Sequence, residues 1–453
     1  MKKTLPILIA LLLVASSMCA KTITVTSSAD SGAGTLRQAV LDANANDSII
    51  FDSSVTSITL STVIRLEKNI TITGNKNSTT TITMLAPNSR HFVLSNTGVT
   101  TTLSNLTLKD GYFYTCGGSM IIAPNNNVIL NNCFFKNNKS GDFAGAIQNA
   151  GTLKINNCLF DNNTCNSNGI GAISNSGEAY INNTIFTNNY GSDQGSLYNH
   201  NGGSIILNNC LFKGNKGNYA GLTNRGIAVV INCLFTGNTS NAGTVINYKL
   251  DNLDPKTTSL TITNSTIVDN VGVGIYNDQQ LKLYNSIVTN NNATQDIYND
   301  SIGTITATNN LIGSSNLNLS GNGNILNTDP LFVGNGDYSL QKSSPAINMG
   351  SNSYLPDTIT TDIAGHKRIS NNTIDMGAYE YQSPSAVLLY HEAMQKIYSH
   401  NQTICIENGS SSVSIFNTMG QLVAQGVKTE FTMPIAGVYI VRVGNNVQKV
   451  IVK

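Results

Sequence analysis

Apolar positions in this chain recur at a long fixed interval rather than at helical spacing. The segment Asn131-Asn132-Cys133-Phe134-Phe135 returns as Asn156-Asn157-Cys158-Leu159-Phe160, Asn182-Asn183-Thr184-Ile185-Phe186, Asn208-Asn209-Cys210-Leu211-Phe212 and Ile231-Asn232-Cys233-Leu234-Phe235. Looser copies are Asn264-Ser265-Thr266-Ile267-Val268 and Tyr284-Asn285-Ser286-Ile287-Val288. The asparagine before the small residue advances from 132 to 157, 183, 209 and 232, steps of 25, 26, 26 and 23 residues, which suits one coil of a solenoid. Ahead of these copies lies a second motif, as in Gly145-Ala146-Ile147-Gln148-Asn149, Gly171-Ala172-Ile173-Ser174-Asn175, Gly195-Ser196-Leu197-Tyr198-Asn199 and Gly274-Ile275-Tyr276-Asn277. Short strands turned by Asn and Gly in each coil predict an all-β fold, a right-handed parallel β-helix. One coil cannot bury its own apolar face, whereas stacked coils pair their backbones and share a core.

Equivalent residues then form columns along the axis. Cys133, Cys158, Thr184, Cys210, Cys233, Thr266 and Ser286 make a small inward column, and Phe135, Phe160, Phe186, Phe212, Phe235, Val268 and Val288 the core stack. Asn132, Asn157, Asn183, Asn209, Asn232 and Asn285 are expected to bend the chain in the left-handed region and to bond as a side-chain ladder. Alternation points Phe134, Leu159, Ile185, Leu211, Leu234, Ile267 and Ile287 outward, an apolar strip either covered by a loop such as Asp251 to Thr258 or free for a partner. Cysteines in a regular column read as buried thiols rather than disulfides or a zinc site, because such a column does not converge tetrahedrally.

At the N-terminus, Lys2 and Lys3 precede an apolar run from Leu5 to Val14 and small residues ending at Ala20, the layout of a secretory signal peptide cleaved near Ala20. Ser16, Ser17 and Met18 do not make a lipobox for Cys19, and no later stretch is long and apolar enough for a membrane helix. Leu36, Ala39, Val40 and Ala43 share a helical face behind Thr35 as N-cap, a short helix to close the open end of the core. With Leu103-Ser104-Asn105-Leu106-Thr107-Leu108 and the coils that follow, this cap resembles that of bacterial surface β-helix proteins akin to the polymorphic outer-membrane proteins.

Past residue 300 come Asp329-Pro330-Leu331-Phe332, Ser344-Pro345-Ala346-Ile347-Asn348-Met349-Gly350, Asp362-Ile363-Ala364-Gly365-His366-Lys367-Arg368 and Asp375-Met376-Gly377-Ala378-Tyr379-Glu380-Tyr381, a succession that resembles the choice-of-anchor Q domain. Asp362, Arg368 and Asp375 are expected to pair within a closing layer over the last coil. The final segments Val413-Ser414-Ile415-Phe416, Gly437-Val438-Tyr439-Ile440-Val441 and Lys449-Val450-Ile451-Val452-Lys453 alternate as strands of a small antiparallel β-sandwich, and resemble the type A C-terminal sorting domain of the type IX secretion system of Bacteroidetes. That resemblance implies the type IX machinery as partner, passage across the outer membrane, and attachment to surface lipopolysaccharide or release. The organisation read from sequence is signal peptide 1–20, cap and first coils 21–110, regular coils 111–325, closing region 326–382, linker 383–403 and sorting domain 404–453.

Composition agrees with many strands joined by polar turns: charged residues are 11%, apolar residues 40%, and there is no Trp. A net charge of +1 without a basic stripe speaks against nucleic acid. For chemistry, a glycosidase needs two flanking carboxylates, and the paired Asp and Gly-His-Gly pattern of polygalacturonases is absent. The strongest cluster is Asp142, Asp161, Asp193, His200, Lys213 and Arg225, of which Asp142, Asp161, Asp193 and Arg225 are the candidates for a calcium-assisted lyase. Lys136, Asp161, Thr187, Lys213 and Thr236 form one column with alternating charge, as a solvated turn does. Tyr190, Tyr198, Tyr219, Tyr248 and Tyr276 offer rings for stacking on glycans. The expectation is an exported, adhesin-like or glycan-contacting surface protein without enzymatic activity, needing no metal or cofactor. The alternative is a polysaccharide lyase or glycoside hydrolase acting on an acidic polysaccharide. Asp-Ser/Thr-Ile triplets at Asp47, Asp300 and Asp357 resemble the Bacteroidetes O-glycosylation pattern.

Overall fold

The computed structural model describes residues 20–453 apart from 76–78, 96–97, 168, 250–257, 383–395, 408–411, 418–419 and 444–445. The signal peptide, most of the Asp251 to Thr258 insertion and most of the linker lie outside the described residues. The chain divides between Gln382 and Ser383 into two compact units.

The first unit is a parallel β-helix of three sheets. One runs in order from Thr22–Val25 to Thr304–Thr308 in twelve strands, a second from Ser57–Leu60 to Ile325–Leu326 in twelve, and the third, of fourteen strands, carries Ile147–Asn149, Ile173–Asn175 and Leu197–Asn199 among its coils. Each strand bonds its equivalent one coil away, as in Phe134↔Leu159↔Ile185↔Leu211↔Leu234. The N-terminal helix α1 (Leu36–Asp42) has Thr35 as its N-cap, accepting from the Gln38 N–H, and buries Leu36, Ala39 and Val40.

The predicted phenylalanine column is the spine of the core. Phe135, Phe160, Phe186, Phe212 and Phe235 stack face to face with ring centroids 4.7, 5.0, 4.7 and 4.4 Å apart. Cys133, Cys158, Cys210 and Cys233 are buried free thiols beside it. One copy is out of register with the sequence reading. Asn264 (φ 49°) is itself the left-handed corner, so Ser265 is the small residue, Ile267 pairs with Phe235 and Val288 in the core column, and Thr266 pairs with Leu234 and Ile287 in the outward one. A one-residue slip exchanges faces, so Val268 points outward and not inward as expected.

The asparagine ladder also runs elsewhere than expected. Asn132, Asn157, Asn183, Asn209, Asn232 and Asn285 do occupy the left-handed region, with φ between 48° and 55°. Their amides make only isolated links between coils: Asn132 reaches Asn105 and Asn285 reaches Asn264, while Asn232 reaches the Thr361 carbonyl and the Asn209 amide oxygen has no partner. The continuous ladder is Asn138, Asn163, Asn189, Asn215, Asn238, Asn270 and Asn291, all buried, each Nδ2 donating at 2.8–3.0 Å to the Oδ1 of the next. A second ladder follows Asn149, Asn175, Asn199, Asn224, Asn247, Asn277 and Asn299. The left-handed residue turns the backbone outward, so its side chain leaves the core, meeting solvent at Asn132, Asn157 and Asn183 and the 330–382 segment at Asn232 and Asn285, while the next one enters the coil.

The segment expected to close the last coil instead lies along the flank of the second sheet. Tyr338 packs on Leu234 and Val268, and Leu340, Ala346 and Met376 on Ile287 and Leu311. Tyr338 Oη is bonded to Thr236 Oγ1 at 2.6 Å and Asp269 Oδ2 at 2.9 Å, and the Ala378 N–H donates to Thr266 Oγ1. This clasp covers the outward apolar strip from Leu211 on, whereas Phe134, Leu159 and Ile185 stay partly exposed. It is held inside by Arg368, 1% exposed, which donates to the Asp375 and Gly377 carbonyls and faces Glu380 at 3.9 Å.

The second unit has a three-stranded and a four-stranded antiparallel sheet around Ile404, Ile415, Val441 and Val443. Its first strand, Lys396–His400, pairs with Thr403–Glu407, so the folded unit begins within the segment read as linker.

Candidate functional site

The third sheet carries the chemistry. Its outward column is Gln148, Ser174, Tyr198, Thr223, Ile246, Tyr276 and Tyr298, set by alternation against inward Ile147, Ile173, Leu197, Leu222, Val245, Ile275 and Ile297. Just past the second asparagine ladder runs a parallel column, His200, Arg225, Tyr248, Asp278 and Asp300, whose backbone N–H groups donate to the ladder carbonyls of Asn175, Asn199, Asn224, Asn247 and Asn277. Neighbouring coils are about 4.8 Å apart. The two columns form one strip along the axis.

At its centre, the Arg225 guanidinium lies 4.3 Å over the Tyr248 ring, 5.6 Å from the Tyr198 ring, and donates to Tyr198 Oη at 2.6 Å. Among the described residues it has no ion-pair partner within 4 Å. His200 packs edge-on to Tyr198 at 4.1 Å and shares a 2.7 Å hydrogen bond from Nε2 to Ser174 Oγ. Burial, and then Arg225, pull His200 down to about 4, so the imidazole is neutral at neutral pH. Burial raises the Tyr198 and Tyr248 phenols, against the pull of Arg225. Tyr219 flanks Tyr248 at 5.7 Å, and Tyr276 stacks on Tyr298 at 5.4 Å. Gln148 Oε1, Thr223 Oγ1 and Arg225 Nε are buried without a hydrogen-bond partner. Rings in a line around one cation that has no carboxylate within 4 Å among the described residues are what an extended polar ligand requires.

The sequence candidates are split between faces. Asp193, His200 and Arg225 belong to this strip; the charge of Asp193 raises the Tyr219 phenol, after burial. Asp161 and Lys213 lie on the second sheet, where Asp161 accepts from Asn188, and Asp142 is an exposed turn residue. Asp278 and Asp300 escaped the sequence reading as members of this column because the Asp251 to Thr258 insertion breaks the period that would align them with Tyr248. The signal was available as the residue after each ladder asparagine.

Two cavities elsewhere hold carboxylates that are already engaged. In one of about 410 Å³, Asp296 accepts from Asn291 and Ser314, ending the first ladder. In one of about 350 Å³ within the clasp, Asp362 accepts from the Ala364, His366 and Glu380 N–H groups. Both are structural caps. No cluster of three or more His, Cys, Asp or Glu able to hold a metal occurs among the described residues.

No protein family and no curated protein matches the chain. Among solved structures, similarity extends to a pectate lyase, with a TM-score of 0.46 at 13% identity over 80% of this chain and 96% of the other. It extends also to an alginate lyase, with a TM-score of 0.39 at 15% identity over 80% of this chain and 59% of the other.

Proposed function

We propose that this protein is an exported surface protein whose third-sheet strip binds an acidic glycan laid along the solenoid axis. The observation that carries this reading is Arg225, clamped by Tyr198 and Tyr248 with no carboxylate within 4 Å among the described residues, in the middle of a line of aromatic and unpartnered polar groups. The coil rise of about 4.8 Å is close to the length of one pyranose in an extended chain, so successive coils meet successive sugars. Export is proposed from the signal-peptide layout and from the resemblance of the last strands to a type IX sorting domain. The clasp, which resembles a choice-of-anchor Q domain, would separate the binding body from that tag.

A second reading, a lyase, draws on Tyr198 and the neutral His200, two proton-transfer groups beside a cation able to neutralise a uronate carboxylate. One experiment separates the two. The full chain is titrated with polyuronates and a neutral glucan, with and without calcium, while ultraviolet absorbance follows unsaturated uronic ends. Uronate binding without product, weakened about tenfold or more in Arg225→Gln, is expected for loss of a charge-assisted contact. Product formation would replace the binding reading by the lyase; absence of binding to every uronate would overturn both.

A further inference from the structure

The strip is not uniform in charge, and its asymmetry deepens the glycan reading on which this inference rests. From Arg225 the column passes through Tyr248 to Asp278 and Asp300, so two carboxylates lie two and three coils beyond the cation, about 10 and 14 Å along the axis. Asp278 is half-buried in its environment and its Oδ1 accepts from the Lys249 N–H at 3.0 Å and from Gln279 Nε2 at 3.2 Å. Asp300 Oδ2 accepts from Tyr276 Oη at 3.0 Å, beside the Tyr276–Tyr298 stack. Neither carboxylate has an ion-pair partner within 4 Å among the described residues, Lys249 included.

A second observation makes this end of the strip ask for a donor. Gln279 is 5% exposed, and its Oε1 is buried with no hydrogen-bond partner. Its Nε2 is fixed on Asp278, which leaves the amide oxygen as a bare acceptor next to a carboxylate. Burial pushes the Asp278 carboxyl up, and the charge of Asp300 adds to it, against the hydrogen bonds from Gln279 and Lys249 and the Lys249 charge. Two acceptors of like polarity, one wholly unpaired, are stabilised by a cation that donates hydrogen bonds.

We infer that the ligand is a glycan carrying both charges, its carboxylate seated at Arg225 and a free ammonium, as on a de-N-acetylated amino sugar, at Asp278, Gln279 and Asp300. At one sugar per coil the acidic end lies two and three sugars beyond the cation, so in an alternating chain with its uronate at Arg225 the third sugar on is an amino sugar, whose ammonium meets Asp300 beside Asp278.

The test uses the full chain and a single polymer in two forms: heparosan, which alternates glucuronate with N-acetylglucosamine, and the same polymer after N-deacetylation. Both carry the carboxylate, and only the second carries the ammonium. The deacetylated form is expected to bind at least about tenfold more tightly, as one charge-assisted contact provides. In Asp278→Asn/Asp300→Asn that preference collapses while heparosan affinity is kept, and in Arg225→Gln both forms weaken. Asp161→Asn, on the other sheet, keeps the preference and controls for net charge. Equal affinity for the two forms, or an unchanged preference in the double variant, would overturn this inference and leave the acidic-glycan reading in place. Failure of both forms to bind would overturn the two together.

Discussion

Asn183 and Asn189 lie six residues, about a quarter of a coil, apart and differ wholly in role. Asn183 holds a left-handed corner with φ 49° and an exposed side chain, a conformation glycine adopts freely. Asn189 is buried, accepts from the Asn163 N–H and Nδ2, and donates to the Phe160 carbonyl and Asn215 Oδ1. Asn189→Ala therefore orphans groups on both neighbouring coils, at about 1–3 kcal/mol each, and is expected to lower the melting temperature far more than Asn183→Gly, which shifts stability by less than about 0.5 kcal/mol. Thermal melts of the two variants check the ordering. The columns of Phe and Cys were legible because inward and outward residues alternate in a repeated motif. The ladder was not, because Asn serves both as the corner and as the residue after a corner, and only the first role stands out in an Asn-Asn doublet. Buried titratable groups belong to this scale too. Burial raises Glu380 to about 7, with the neighbouring Asp375 adding to it, so the folded clasp prefers the protonated acid. Folding then takes up protons between the ordinary carboxylate range and pH 7, and this contribution to stability is lost as pH rises through 7. Glu380→Gln is expected to gain melting temperature relative to the parent at pH 8 and to show no such gain at pH 5; a difference independent of pH would contradict the assignment.

Among the elements, the clasp departs most from what the chain pattern suggested. It follows the last regular coil, which suggested a lid over the open end, yet its contacts run sideways to Leu234, Val268, Ile287 and Leu311. Apolar residues at outward positions were the available signal: the strip of Leu211, Leu234 and Ile287 needed a cover, for which the sequence reading offered the nearby Asp251 to Thr258 insertion or a partner, whereas the segment that covers it lies farther along the chain. Distance along the chain says nothing about which segment folds back. Val268→Asp places an unpaired charge beneath Tyr338 and is expected to cost more than about 3 kcal/mol, detaching the clasp from the coils. Limited proteolysis would register this as new cleavage within residues 330–382 while the earlier coils stay resistant; uniform resistance would contradict the packing described.

For the whole molecule, the solenoid, its capping helix and its small antiparallel unit were readable from periodicity, since a repeat of about 25 residues leaves few other ways to bury the apolar face of each coil. The strip was readable only in part. Its tyrosines and Arg225 stand out by type, but Asp278 and Asp300 join it only once the insertion is looped out and the coils are aligned. A sorting role for the second unit predicts that cells lacking residues 396–453 retain the body inside the outer membrane, which surface proteolysis of intact cells measures. The claim that a glycan lies along the axis is tested most directly by affinity against oligomer length, using full chain and uronate-containing oligosaccharides of increasing size. His200, Arg225, Tyr248, Asp278 and Asp300 occupy five consecutive coils, so affinity is predicted to climb with each added sugar to about that length and then level off. Affinity already complete with a monosaccharide would contradict a strip and leave a single pocket in its place.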